Sequence, residues 1–147
     1  MSKVISIGNQ GFEDIRKNDN FYVDKTDFIR EWWESRDIVT LITRPRRFGK
    51  TLNMDMLKCF FSNRYAGRSD LFEGLSIWKE EKYRELQGQY PVIFLSFANV
   101  KEGNVEAAKM QMKALIARMY EENRFLLEGN LLSENEKKMY RNVTIYM

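Results

Sequence analysis

The residues best suited to chemistry are Gly49, Lys50 and Thr51, which follow a basic turn and precede an apolar segment of helical period. Backbone N–H groups at a helix start lack partners within the helix, and the helix dipole favours an anion there. In a phosphate-binding loop of this kind the lysine contacts the terminal phosphates and the threonine hydroxyl ligates Mg²⁺. The triplet therefore predicts binding of a nucleoside triphosphate with Mg²⁺.

The predicted contact set is continuous along the chain. The residues that we expect to contact the nucleotide are Arg46, Arg47, Phe48, Gly49, Lys50, Thr51 and Leu52. Thr51 is also the expected metal ligand, and no catalytic residue is assigned. The usual pattern, G-x-x-x-x-G-K-[ST], has glycine where this chain has Arg44. Pro45 fixes its own φ and favours an extended Arg44, so we expect a loop stiffer than the common form.

The basic turn leaves two other interpretations open. Arg44, Arg46 and Arg47 could form a solvated basic turn with no ligand. They could also bind nucleic acid or a protein partner, because guanidinium groups recognise phosphate and carboxylate oxygens. A third hypothesis is a truncated gene product without activity of its own.

The elements that would hold the loop follow from apolar spacing. Residues 38–42 and 92–97 are rich in β-branched and aromatic residues, and each predicts a short strand. Residues 1–22 are expected to be irregular, and Asp24 or Thr26 is the expected N-cap of a helix over about 27–34. Helical period predicts further helices from residue 50 onward, from 105 to about 125, and over 133–140, the last beginning with a capping box at residues 133–136. Strands separated by helices indicate an α/β fold with a parallel sheet flanked by helices. Two strands are few for such a fold, so we expect the chain to end within the domain.

Composition narrows the classes of function. The 147 residues have the length of one ordinary domain, and the net charge of +3 does not by itself imply nucleic acid. With no histidine and one cysteine, the chain has no histidine-based triad, histidine-ligated metal or internal disulfide. Cys59 lies among apolar residues and is expected to be buried and inert. No stretch predicts a membrane span or a signal sequence, so we expect a cytoplasmic protein without membrane partners.

Two segments together resemble a known family. Residues 21–26 read Phe-Tyr-Val-Asp-Lys-Thr, and residues 41–52 read Leu-Ile-Thr-Arg-Pro-Arg-Arg-Phe-Gly-Lys-Thr-Leu. This order resembles the bacterial and archaeal AAA-ATPase-like family of predicted P-loop ATPases. Its members typically carry Tyr-Val-Asp-Lys-Thr and then Arg-Pro-Arg-Arg-Phe-Gly-Lys-Ser/Thr-Leu. The likeness continues through residues 71–75 and 90–97. In the family pattern the position of Arg44 is also an arginine, so the missing glycine is typical of the family.

The resemblance implies a P-loop NTPase module of AAA-like or STAND-like type that binds ATP with Mg²⁺. In longer relatives it is commonly followed by a region that resembles PD-(D/E)xK nucleases. Gly49, Lys50 and Thr51 match the Walker A motif of the family. Its Walker B strand, which ends in acidic residues, is not found: residues 92–97 continue into Ala98 and Asn99 without a carboxylate. Nucleotide binding is therefore predicted, and hydrolysis by this chain is left open.

The resemblance also implies a domain organisation. We expect residues 1–36 to form a lead-in with the Tyr-Val-Asp-Lys-Thr box and a short helix. Residues 37–147 are expected to form the N-terminal half of a P-loop ATPase-like domain. The expected partners are the nucleotide and either a second copy of the chain or the C-terminal part of the module.

Overall fold

The computed structural model describes residues 3–5, 8–9, 11–43, 45, 48–101 and 103–145, the last two without their side chains. The chain divides into two units, Met1–Val92 and Ile93–Met147. The helices of the first unit are α1 (Phe12–Lys17), α2 (Asp27–Ser35), α3 (Lys50–Phe61) and α4 (Glu81–Leu86). Those of the second unit are α5 (Val105–Glu122) and α6 (Glu134–Ile145). Short 3₁₀ turns cover Asn63–Tyr65, Ser69–Leu71, Ser76–Lys79 and Arg124–Leu127.

The predicted α/β fold with a parallel sheet is wrong, because the described residues form helices and no β-strand. Residues 38–42 and 92–97 have no regular secondary structure, and Ile38 and Leu41 are 101% and 83% exposed. The β-type pairing in the described part of the chain is one isolated parallel bridge between Ser62 and Tyr90. A β-branched run forms a strand only where a neighbouring strand pairs its backbone groups, so its local propensity is overridden without one.

The core of the first unit is built on contacting aromatic rings. Phe12, Phe60 and Phe72 are fully buried, and the Phe72 ring lies 5.2 Å from that of Phe12 and 5.1 Å from that of Phe60. The other buried members are Ile29, Met56, Cys59, Phe61, Leu71, Leu75, Ile77 and Tyr83. On α3 the buried positions recur at helical spacing, so one face of this helix forms the centre of the core.

The end of α3 is fixed by a close backbone approach at Gly88. The Gly88 N–H donates to the Phe60 carbonyl at 2.8 Å, and the Tyr90 N–H donates to the Phe61 carbonyl at 2.9 Å. A β-carbon on Gly88 would lie 2.5 Å from the Ala66 Cα, and its φ of +72° is in the left-handed region. Only glycine fits this position without backbone movement.

Helix α1 falls within a segment that the sequence predicts as irregular. Phe12 and Ile15 are buried, and the Phe12 N–H donates to the Asp55 carboxylate of α3 at 2.8 Å. A six-residue helix is too short to be stable alone, so its stability comes from this cap and from its buried side chains. Sequence reasoning missed the helix because its cap lies in a distant segment.

Glu13 joins α1 to the turns that follow α3. Its carboxylate accepts hydrogen bonds from Arg68 at 2.9 Å and from the Tyr65 hydroxyl at 3.1 Å, and it pairs with Lys17 at 2.6 Å. The Lys17 and Arg68 side chains lower the pKa of Glu13 from its usual 4.5 to about 2. The ionised carboxylate is therefore favoured by the folded state.

Glu13→Gln is expected to reduce the acid sensitivity of the first unit. Because the folded pKa is lowered, the contribution of Glu13 to stability is complete above pH 4.5 and is lost as the pH falls towards 2. The variant should be less stable than wild type at pH 7. Its free energy of unfolding should decrease less than that of wild type between pH 4.5 and pH 2. Urea unfolding followed by tryptophan fluorescence measures this, since all three tryptophans lie in the first unit. Glu31→Gln, on the exposed side of α2, should follow the wild-type pH curve.

The second unit is a pair of helices joined through tyrosines. The Tyr120 and Tyr140 rings lie 4.6 Å apart, and the Tyr140 hydroxyl donates to the Tyr120 carbonyl. The predicted capping box of α6 is confirmed, because the Glu136 carboxylate accepts from the Ser133 N–H at 2.8 Å. The helix predicted from residue 105 to about 125 is observed as α5, although no residue of α5 is buried. Across the described ranges, no helix has the length and apolar character needed to cross a membrane.

Candidate functional site

The Gly-Lys-Thr segment lies at the start of α3, as predicted. Gly49 precedes the helix with φ +75° and ψ 18°, a left-handed conformation that glycine adopts without steric cost. The Asn53 N–H donates to the Gly49 carbonyl at 2.8 Å and closes the first turn. Gly49 is the N-cap residue of α3, and glycine has no side chain that could cap this turn. Helix α3 therefore begins directly after a left-handed glycine.

The predicted contact residues differ in exposure in a way that suits this arrangement. Lys50 is exposed and Thr51 is half-buried, whereas the Leu52 side chain packs against the core of the first unit. Phe48 is 55% exposed. Leu52 thus packs the first turn of α3 against the core, while Lys50 stays exposed. Arg44, Arg46 and Arg47, which carry the alternative nucleic-acid interpretation, lie outside the described residues.

Tyr22, the first residue of the Tyr-Val-Asp-Lys-Thr box, is attached to α3. Its hydroxyl donates to the Met56 sulfur at 3.2 Å, and its ring meets the Phe12 ring edge-on at 5.4 Å. Burial raises the pKa of Tyr22 to about 12, against a smaller lowering by a hydrogen bond from the Lys25 backbone. The tyrosine is therefore a neutral anchor that holds the box against the helix after the loop.

Asp24 and Thr26 attach the other side of the box to the turn at residues 76–77. The Asp24 carboxylate accepts from the Thr26 hydroxyl at 2.6 Å and from the Ser76 N–H at 2.7 Å. Burial disfavours its ionised form, but these hydrogen bonds lower the pKa of Asp24 below its usual value. Thr26 is fully buried, and its hydroxyl accepts from the Ile77 N–H at 3.1 Å. Thr26 occupies the predicted N-cap position of α2, yet its side chain makes no cap hydrogen bond there.

Between these anchors, Lys25 extends towards the loop. Its Nζ lies 3.7 Å from the position that a β-carbon on Gly49 would occupy. Lys25 is exposed, and its ammonium makes no hydrogen bond or ion pair with the residues that the structure describes. Sequence reasoning identified the box by resemblance but gave Lys25 no physical role. The contact joins positions 24 residues apart, so no local pattern could have revealed it.

Asp55 lies one turn beyond Thr51 and is occupied by structural contacts. Its carboxylate accepts from the Phe12 N–H, pairs with Lys58, and lies 3.9 Å from the Cys59 sulfur. Within the described ranges no group of three or more histidine, cysteine, aspartate or glutamate side chains could hold a metal. Asp55 therefore acts as the cap of α1.

The prediction that Cys59 is buried is confirmed. Burial, with the nearby Asp55 carboxylate, raises the pKa of the thiol to about 12, so the reactive thiolate is scarce at neutral pH. We expect the native chain not to react with a chromogenic disulfide reagent at pH 8, and one thiol to react after unfolding in urea. Stoichiometric reaction of the native chain within minutes would contradict this expectation.

A separate cavity of about 290 Å³ lies between α2 and α4. Its walls are formed by Trp33, Glu34, Arg36, Lys82, Tyr83 and Leu86. The Glu34 carboxylate accepts from Lys82 at 2.8 Å and from the Tyr83 hydroxyl at 2.5 Å. None of the predicted contact residues that the structure describes lines this cavity.

Comparisons with known proteins relate the chain to one family. The family described as "Predicted AAA-ATPase" matches residues 6–146. A relative described as "Uncharacterized protein in vnfD 5'region", from Azotobacter chroococcum mcd 1, is 38% identical over 96 residues. The match covers 65% of this chain and 17% of the relative, so the chain spans a small part of that protein. No solved structure matches the chain.

Proposed function

Because the chain belongs to the predicted AAA-ATPase family, we propose that it binds ATP through the loop that ends in Gly49, Lys50 and Thr51. The observation that carries the proposal is the left-handed Gly49, which leads directly into α3 and is followed by an exposed lysine. A triphosphate needs backbone donors and a cation at one place, and this arrangement supplies both.

Each residue of the loop has a stated role in this proposal. The backbone N–H groups of residues 48–52 bind phosphate oxygens, and Lys50 binds the terminal phosphates. Arg46 and Arg47, outside the described residues, neutralise further phosphate charge. Apart from its chain neighbours, the only described atom within 4 Å of a β-carbon built on Gly49 is the Lys25 Nζ. The described group beside this glycine is thus a cation, which fits a phosphate.

Mg²⁺ is the proposed metal, with the Thr51 hydroxyl as its protein ligand. Thr51 is half-buried in the first turn of α3, a position that suits a hydroxyl ligand. When bound, Mg²⁺ neutralises phosphate charge. Because no acidic cluster in the described part of the chain could hold the ion, its other ligands would be phosphate oxygens and water. The proposal is therefore one of binding, and it assigns no hydrolytic residue.

The remaining expectations extend this proposal to the whole protein. We infer a cytoplasmic location, since the lone thiol is buried and suits a reducing compartment. A second copy of the chain or the C-terminal part of the module is the proposed macromolecular partner. The division into a lead-in over residues 1–36 and an ATPase-like region over residues 37–147 stays a prediction.

Direct titration tests the proposed function. The full chain is titrated with a fluorescent ATP analogue in the presence of Mg²⁺, and bound analogue is displaced with unlabelled ATP. We expect saturable binding, displacement by ATP, and weaker binding when EDTA removes Mg²⁺. Adenosine is the control, since it lacks phosphate and should not displace the analogue. Absence of saturable binding, or equal displacement by adenosine, would refute the proposal.

A further inference from the structure

Lys25 lies beside Gly49, the first residue of the Gly-Lys-Thr segment. The contacts that hold it there are made by residues outside that segment. Its Nζ approaches Gly49 to within 3.7 Å of a β-carbon position, although the two residues belong to different segments. Among the described residues its ammonium has no hydrogen-bond or ion-pair partner. A lysine on a protein surface usually extends into water or pairs with a carboxylate. Lys25 is exposed in this way, and among the described residues its ammonium lies beside a glycine turn that belongs to another segment.

The backbone on both sides of Lys25 is fixed. Tyr22 is tied to Met56 of α3, and Thr26 is buried and tied to Ile77. Asp24, the neighbouring carboxylate, already accepts from Thr26 and from the Ser76 N–H. These contacts hold the root of the Lys25 side chain on the side of the unit where α3 begins. The box thus holds the Lys25 ammonium, which has no hydrogen-bond or ion-pair partner among the described residues, on this side of the unit.

We propose that Lys25 is a second cationic ligand for the phosphate chain, acting beside Lys50 and the backbone of Gly49. This inference rests on the proposed function and adds to the site a residue from outside the Gly-Lys-Thr motif. An ammonium is a compact point charge with three donors, which suits a phosphate oxygen approached from one side. Tyr22, Asp24 and Thr26 are then positioning residues that fix the box, and Lys25 is the one that touches the ligand.

The test compares dissociation constants of the fluorescent ATP analogue for matched variants of the full chain. Lys25→Met removes the charge and keeps most of the side-chain length, and we expect about tenfold weaker binding, typical of one charge-assisted contact. Lys25→Arg keeps the charge and should retain most of the affinity. Lys79→Met is the control, because Lys79 is also exposed and the net charge changes equally. The control should bind as wild type does.

The failure of this inference can be told from the failure of the proposed function by including Lys50→Ala. If Lys50→Ala loses binding while Lys25→Met binds as wild type does, Lys25 is not a ligand and the proposed function stands. If wild type itself does not bind, or if Lys50→Ala binds equally well, the proposed function fails and this inference fails with it. A loss in Lys79→Met equal to that in Lys25→Met would show a general effect of charge and would also overturn the inference.

Footprinting on the unmodified chain gives a second readout that does not depend on the folding of a variant. Brief acylation with a limiting amine reagent, followed by mass spectrometry, measures the accessibility of each lysine with and without Mg²⁺-ATP. We expect the nucleotide to slow labelling of Lys25 several-fold and to leave Lys79 unchanged. Equal labelling of Lys25 in both conditions, at nucleotide concentrations that saturate binding, would overturn the proposal.

Discussion

Replacement of Lys50 by alanine is expected to weaken ATP binding by between about tenfold and about 150-fold. This range corresponds to the loss of charge-assisted hydrogen bonds worth about 1.5–3 kcal/mol. Lys50 is exposed at the first position of α3, and alanine is a strong helix former, so we expect the fold to be retained. The measurement is the dissociation constant of the fluorescent ATP analogue, together with the urea unfolding midpoint.

The matched control for this variant is Lys79→Ala, which removes an exposed lysine of the same unit. Its affinity and unfolding midpoint should equal those of wild type. Retention of wild-type affinity in Lys50→Ala would rule out the loop as the binding site. A lowered unfolding midpoint in Lys50→Ala alone would show that the lysine supports the fold, and the loss of affinity could then not be assigned to the phosphate contact.

Phe60→Ala is expected to destabilise the first unit by about 3–5 kcal/mol, the usual cost of truncating a buried phenylalanine. Phe60 is fully buried and its ring makes edge-on contacts with Phe61 at 5.0 Å and Phe72 at 5.1 Å. Aromatic pairs of this geometry contribute about 0.5–1.5 kcal/mol of stability beyond the contribution of the area that they bury. Since total stabilities of domains are about 5–15 kcal/mol, a large fraction would be lost.

Urea unfolding by tryptophan fluorescence isolates this effect to the first unit. Phe21→Ala is the matched control, because Phe21 is 53% exposed and the same atoms are removed. The backbone hydrogen bond from the Phe21 N–H to the Val4 carbonyl does not depend on the side chain. Phe21→Ala should change the unfolding free energy by less than about 1 kcal/mol, as exposed substitutions do. Equal losses in the two variants would contradict the assignment of Phe60 to the core.

The helices could be predicted well because their signals are local. The predicted start of α3 at Lys50 and the Ser133 capping box agree with the structure. The prediction of strands over residues 38–42 and 92–97 was wrong, because a strand depends on pairing partners that a local pattern does not contain. Helix α1 was missed for the converse reason, since its cap is a carboxylate from α3.

In the candidate site, too, the local feature could be predicted from the sequence and the contact between distant segments could not. The Gly-Lys-Thr triplet is contiguous, so its position at a helix start could be predicted from spacing alone. Lys25 lies beside Gly49 in the folded chain, where the contacts of Tyr22 and Thr26 hold the neighbouring backbone, and no spacing rule connects these residues. The resemblance marked the box as part of a family pattern, and the folded contacts give that pattern a physical explanation.

The continuity of α3 has a thermodynamic consequence. The same uninterrupted helix begins at the loop and ends in Phe60 and Phe61, the centre of the core. A ligand held by the first turn can bind only molecules in which this helix is folded, so binding and unfolding are linked equilibria. At a ligand concentration 100 times the dissociation constant, such linkage stabilises the folded state by about 2.7 kcal/mol. A nucleotide would therefore act as a folding cofactor of the first unit, and the melting temperature of that unit would report its occupancy.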